Sequence, residues 1–238
     1  VTLLSICTDA IEEIGEYQAP GTIVGNTDPA ACQLLALAKR ELKNLARCYP
    51  WKVLTAEQTF TMTTGQSVQT GAIPSDFWCF KNFTWWDRTN EWRLRGPSTS
   101  NQWQVLRSGI VQQTPRKWIR VRGSDLLAHP NPDTADTVAF EYVSKNLVDS
   151  DGDGAADALT WAADTDTSVL DEDLLTMGVH WRYLRAKGLP YADEKTEYDD
   201  EVALTKARDG GHGPVSLSGR RTPYLLDVDN VPDSGFGG

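Results

Sequence analysis

The sequence contains no run approaching 18 consecutive apolar residues, so no stretch of it reads as a membrane-spanning helix. It also lacks G-x-x-x-x-G-K-[ST], G-x-S-x-G and H-E-x-x-H. Those absences remove the phosphate-cradling, acyl-transfer and zinc-protease signatures. Histidine is scarce. His129, His180 and His212 lie far apart and off metal-ligand spacing, and His180, inside a predicted helix, is expected to be packed or hydrogen-bonded. Cysteine is scarce too. Cys7, Cys32, Cys48 and Cys79 form no C-x-x-C pair, which predicts buried reduced thiols as in cytoplasm, not a disulfide or a zinc site. Positive charge is in deficit: 23 Lys and Arg stand against 33 Asp and Glu, for a net charge of -10. Such a chain does not grip nucleic acid by its phosphates, although it is compatible with letting nucleic acid slide past. The opening VTLLSICTDAIEEIGEY has no basic flank and carries acids in its first turns, so it reads as neither signal nor transit peptide. The expectation is a protein made and used without crossing a membrane.

What is present is enough for a globular chain. There are 238 residues, 40% of them hydrophobic, with nine Trp, which allows one large domain or two small ones and a substantial core. Leu3, Leu4, Cys7, Ala10, Ile11 and Ile14 share a helical face that Gly15 ends. Asp28 then caps a second helix with Pro29 at its first position, where the missing N–H costs nothing. Leu35, Ala38, Leu42 and Leu45 give its apolar stripe, and Lys39, Arg40, Lys43 and Arg47 line the other side. From Trp51 to about Trp161 short β-rich segments alternate with Gly and Pro turns, which predicts an antiparallel β-domain of roughly six strands. Trp103 and Leu106 suggest a short helix within it. Ser168 and Asp171 read as a capping box for a third helix, stopped by Gly188 and Pro190. A fourth helix runs from about Tyr191 to Arg208, with Tyr191, Lys195, Tyr198 and Val202 on one stripe. The expected fold class is α+β: N- and C-terminal helix pairs (residues 1–50 and 163–209) form a four-helix layer, with an inserted antiparallel β-domain (51–162) and an extended, partner-binding tail (210–238).

Four features could carry function. LVDSDGDGAADAL, residues 147–159, places Asp149, Asp151, Asp153 and Gly154 as in a calcium loop, with Asp157 in the ninth place. The twelfth place is Thr160, which cannot give the bidentate carboxylate, and a strand-like segment precedes the loop instead of a helix. A structural calcium on Asp149, Asp151, Asp153 and Asp157 and an acidic hairpin tip both stay open. The loop begins a longer run: nine Asp or Glu and no Lys or Arg fall between Lys145 and Arg182. That run reads as a solvated, helix-capping face or as a surface that repels DNA or docks a basic partner. The adjacent Asp171, Glu172 and Asp173 are not a catalytic acid pair, because consecutive helical positions do not converge. The aromatic stretch FWCFKNFTWW, residues 77–86, fills a β-core or an oligomer interface, or binds sugars or bases. The last 30 residues have no periodicity, yet carry Arg220, Arg221, Tyr224, Leu225 and Leu226, sticky groups on a strip expected to order on a partner.

Several long phrases resemble the head-to-tail adaptor (connector, or tail tubular protein A-like) proteins of tailed bacteriophages. They are LSICTDAIEEIGE, IVGNTDPAACQLLALAKRELKNLAR, IPSDF, WDRTNEW, FEYVSKN, ADTDTSVLDEDLLTMGVHWRYLRAKGLPYA and NVPDSGFGG. The resemblance covers nearly the whole chain and rests on structural phrases, not catalytic signatures. It implies a non-enzymatic virion protein of the phage neck, assembled in the host bacterial cytoplasm as a dodecamer ring below the portal. Helices would make the ring wall, the β-domain would face the tail nozzle or tail-tube protein, and the C-terminal segment with Arg220, Arg221, Tyr224, Leu225 and Leu226 would grip the portal. Double-stranded DNA would pass through the lumen without specific binding. The resemblance gives no general support to calcium. The competing reading is a calcium-dependent carbohydrate-binding β-module built on the Trp cluster and the aspartate loop.

Overall fold

The computed structural model describes residues 2–15, 19–108 and 117–210. Among them, the helices are α1 (Leu3–Glu12), α2 (Pro29–Cys48), α3 (Ser100–Arg107), α4 (Glu172–Lys187) and α5 (Ala192–Gly210). The strands are β1 (Thr55–Thr61), β2 (Val68–Gln69), β3 (Phe77–Phe80), β4 (Trp86–Asp87), β5 (Trp92–Arg93), β6 (Trp118–Arg122), β7 (Asp125–His129), β8 (Thr137–Ser144), β9 (Val148–Asp149) and β10 (Thr167–Ser168). The fold is α+β, as the alternation of periodicities predicts. Contacts divide the chain into two units. One takes the chain up to Thr55 and again from Val143, and the other is Ala56–Tyr142. The expected β-domain of 51–162 is therefore drawn more tightly. Trp51, Leu54, Leu147, Val148 and Trp161 bury their side chains in the helical core, which assigns both flanks to the helices.

In the helical unit α4 packs against α1, α2 and α5, and α1 also touches α2. On α4 an apolar stripe alone would not describe the packing. Instead Leu174, Leu175, Gly178, Val179, Trp181, Tyr183 and Leu184 are buried around most of its circumference, as a helix surrounded by others requires. The ends follow the sequence closely. The Asp28 carboxylate accepts from Ala30 N–H with Pro29 in the first turn, and Gly188 closes α4 in the left-handed region at φ 76°. The capping box forms differently. Asp171, not Ser168, caps α4 by accepting from Leu174 N–H, while Ser168 Oγ accepts from Leu170 N–H in the turn before it. On α2 the buried stripe is Ala31, Leu34, Ala38, Glu41, Leu42 and Leu45, so a carboxylate sits in the apolar face.

The β unit holds two sheets. One runs β1-β8-β4-β5 with β3 also on β8, and the other runs β2-β7-β6. The β2–β7, β6–β7, β4–β5 and β4–β8 pairs are antiparallel, with Trp86 opposite both Arg93 and Ala139. Trp85 and Phe140 stack at 4.2 Å in the core, with Met62, Leu94, Ile119, Leu126 and Val138 around them. The short α3 is present, closed by a Thr99–Gln102 capping box, and it buries Trp103 and Leu106 against Leu127. Lys117 is buried beside the equally buried Asp136, to which its ammonium donates, and lies 4.0 Å from buried Asp87.

Candidate functional site

The aspartate loop closes on itself. Val148 and Ala158 pair across its base, with N–H to carbonyl distances of 3.0 and 2.9 Å, and Val148 is fully buried in the helical core. The loop thus springs from the helical unit, not from the β-domain. Asp149 is buried at its root and accepts from Gly152 N–H at 2.7 Å and Gly154 N–H at 2.9 Å. These donors, the Gly152 one first, hold its carboxyl below the usual aspartate range. Gly152 and Gly154 adopt φ of 82° and 89°, the positive values that the turn requires of Gly154. Asp157 turns to Ser150, accepting from its N–H at 2.9 Å and its hydroxyl at 2.6 Å. Asp149, Asp151 and Asp153 each offer an oxygen within 4.8 Å of the others, while Asp157 is outside that trio. Of the expected ligand set, three residues converge. The fourth is committed to Ser150, and both oxygens of the first already accept backbone donors.

The acidic run is largely a set of backbone acceptors. Asp164 accepts from Ile23 N–H at 3.1 Å and Val24 N–H at 2.7 Å, tying the α1–α2 connection to the stretch before α4. Asp166, buried, accepts from Ala162 and Ala163 N–H. Asp151 and Asp153 accept from Asp153 and Ala155 N–H. With Asp149, Asp157 and Asp171, seven of the nine acids between Lys145 and Arg182 accept from backbone N–H groups, all but Asp164 from the neighbouring chain. Sequence spacing alone shows none of this beyond the cap at Asp171, because the partners of Asp164 lie about 140 residues away.

The aromatic stretch divides. Trp85 is core, and Phe77 and Phe80 pack against it partly buried, whereas Trp78, Phe83 and Trp86 are exposed. Phe83 stands in the left-handed region at φ 68°, 76% exposed, with the Arg93 guanidinium 4.8 Å over its ring. Neighbouring Thr84 Oγ donates to Lys81 O at 2.8 Å and accepts from Glu141 N–H at 3.1 Å, which fixes the bend. The exposed aromatics lie in the β unit and the aspartate trio in the helical unit.

Other expectations resolve singly. His180 Nδ1 is hydrogen-bonded with Glu13, as expected for a packed helical histidine. His129 ends β7 at the edge of the Trp103 ring. Cys7 is buried, and burial, with Asp164 nearby, pushes its thiol up to about 12. Cys32, Cys48 and Cys79 are exposed, which corrects the expectation of buried thiols: each sits on the outward side of its element. His212, Arg220, Arg221, Tyr224, Leu225 and Leu226 lie outside the described residues. Among the described residues, no helix is long and apolar enough to cross a membrane.

The residue that sequence reasoning missed is Glu41. It is fully buried, paired with Arg182 of α4 and hydrogen-bonded by the Tyr198 hydroxyl of α5. Burial raises its carboxyl above the usual range, opposed by Tyr198 and Arg182. Arg182 also donates to Gly178 O at 3.1 Å and stacks on Trp181 at 4.2 Å. This polar cluster joins α2, α4 and α5, and it is architecture more than chemistry.

Caps, an internal ion pair and exposed charged and aromatic side chains describe an α+β protein whose polar groups mainly hold its own fold. Residues 1–216 match the model of the SU10 adaptor protein family, and the chain belongs to that family of phage adaptors. Membership in a structural family suggests a non-enzymatic virion component. No curated protein matches the chain.

Proposed function

We propose that this chain is the subunit of a head-to-tail adaptor ring that joins the portal to the tail nozzle or tail-tube protein and lines the DNA channel. The observation that carries the reading is the family match, which spans both the helical and the β unit. In this reading the four long helices form one layer in the ring wall, and copies assemble as a dodecamer in the host bacterial cytoplasm and remain in the virion neck. The segment with Arg220, Arg221, Tyr224, Leu225 and Leu226 contacts the portal. The net charge of -10 supports a channel wall past which double-stranded DNA slides without specific binding. Affinity for portal and tail accumulates over many weak copies. Negative-stain imaging of the purified chain, alone and mixed with portal protein, tests this. Rings that dock on the portal are expected, and monomers that ignore the portal would overturn it. Alanine substitution of the five tail residues is expected to abolish docking while leaving rings intact.

For the aspartate loop we propose an acidic turn held by its own backbone. The donors already on Asp149 and the turn of Asp157 toward Ser150 support it over a calcium shell. Calorimetric titration with calcium, with Asp151→Ala as control, is expected to give no binding heat. A saturable heat lost in the variant would establish the ion. The competing reading, a calcium-dependent carbohydrate-binding module on the trio and the aromatics, predicts a glycan-array signal that a chelator abolishes.

A further inference from the structure

Charge is divided unequally along the chain. Residues 1–55 and 143–210 carry 22 acidic and 12 basic side chains, whereas residues 56–142 carry eight and nine. Within the helical unit it is divided again, across α4. On one side of α4 sits α2, whose buried stripe faces it and whose Glu41 meets Gly178 and Arg182. The outward face of α2 lies half a turn around that helix and carries half-buried Lys39 and exposed Arg40 and Lys43.

On α4 itself, Thr176 and His180 lie about half a turn from Gly178 and Arg182, with Met177 beside them. They floor an open cleft of about 790 Å³ bordered by α1 and α5. Its acids are Asp9 of α1 and Glu13 just after it, Asp171 and Asp173 at the start of α4, and Glu194, Glu197 and Glu201 from α5. Arg208, 3.4 Å from Glu201, is the one guanidinium among the described lining residues. One rigid set of packed helices therefore presents a cationic ridge on one side and an anionic cleft on the other.

We propose that copies of this chain associate head to tail through these two faces, the Lys39–Arg40–Lys43 ridge of one copy seated in the α1–α4–α5 cleft of the next. Two different, complementary patches on opposite sides of one body give a heterologous contact, which closes into a ring when its rotation closes. Opposite potentials steer the encounter and fix its register, and a ridge meeting a ridge is repelled. The ridge and the cleft of one copy do not meet each other, because α4 lies between them. The proposal rests on the adaptor-ring reading and names its subunit contact.

The test uses the full chain in sedimentation velocity and native mass spectrometry. One variant is Lys39→Glu with Lys43→Glu, which spares Arg40, whose charge acts on buried Glu41. The other is Glu194→Lys with Glu197→Lys, both exposed. Circular dichroism and thermal melting verify that each folds. Each variant alone weakens the opposition of charge across the contact and is expected to need at least tenfold more protein to assemble. An equimolar mixture is expected to recover assembly, with the two variants in equal numbers, because the exchanged side chains on the ridge of one variant meet exchanged side chains of opposite charge in the cleft of the other. Assembly of both single-face variants at wild-type concentrations would overturn the contact and leave the ring reading standing. So would a mixture that stays as weak as its components. A wild-type chain that remains monomeric over the same range would count against the ring itself.

Discussion

Gly178 of α4 lies so close to Glu41 of α2 that a Cβ at position 178 would stand 2.5 Å from the Glu41 Cγ and Cδ. A side chain can often yield to such an intrusion. Glu41 cannot, because Arg182 and the Tyr198 hydroxyl hold its carboxylate from two other directions. Ala should favour the helix by about 1 kcal/mol over Gly, yet overpacking costs roughly 1–3 kcal/mol. Gly178→Ala is therefore expected to lower unfolding free energy, by ~1 kcal/mol in urea titration, an inversion of the usual Gly→Ala result in a helix.

Removing one member of the Glu41–Arg182 pair should be worse than removing both. Arg182→Met leaves a buried carboxylate without its cation and is expected to cost about 3–5 kcal/mol. Glu41→Leu combined with Arg182→Met restores an apolar α2–α4 contact and should recover much of that loss. A double-mutant cycle by chemical denaturation measures it. A double variant as unstable as the sum of its singles would show that the two residues are not coupled.

Phe83 gains little from burial, and a bulky residue in the left-handed region costs about 1–2 kcal/mol. The exposed contact with Arg93 returns only about 0.5 kcal/mol. Phe83→Asn, a residue that tolerates positive φ, is expected to raise stability by ~0.5 kcal/mol in thermal unfolding. A loss of stability would mean that the ring is packed more firmly than its exposure indicates.

Stability toward acid rests on carboxylates held low by the fold, Asp149 and Asp136 among them. Asp149 is held low by the Gly152 and Gly154 N–H donors. For Asp136, burial works to raise the carboxyl, but the Lys117 and Thr134 hydrogen bonds and the Lys117 charge outweigh it and hold it low. A depressed folded-state value means that each contribution is complete above the unfolded value of about 3.9 and is lost as pH falls through the folded one. Stability should hold down to about pH 4 and then fall. The fall should be shallower in Asp149→Asn, which is less stable at neutral pH, as denaturant titration across pH would show.

Much of this fold is legible in the sequence where the signal is local. Asp28-Pro29 fixes the start of α2, Gly188 the end of α4, and Trp103 with Leu106 the short α3, because each is set by neighbours within a turn. The failures share one cause. The buried stripe of α2 runs through Leu34 and Glu41, and a carboxylate reads as solvent-facing until an arginine and a tyrosine from residues 182 and 198 are brought to it. The all-round burial of α4 depends on how many helices surround it, which no single helix encodes. The aspartate loop shows the same limit from the other side: its ligand-like spacing is visible, but the commitment of Asp157 to Ser150 is not.

The division of the chain at Thr55 and Val143 sets an order of events during synthesis. The β unit is one continuous stretch and can close as soon as it is made. The helical unit cannot, since α1 and α2 have their main partner in α4, which begins at Glu172. At about 5–20 residues per second, α2 waits on the order of ten seconds with its apolar stripe unpartnered. The helices α1 and α2, made before the β unit, are thus completed after it, and the nascent chain is most vulnerable to capture by chaperones or by its own neighbours during that interval.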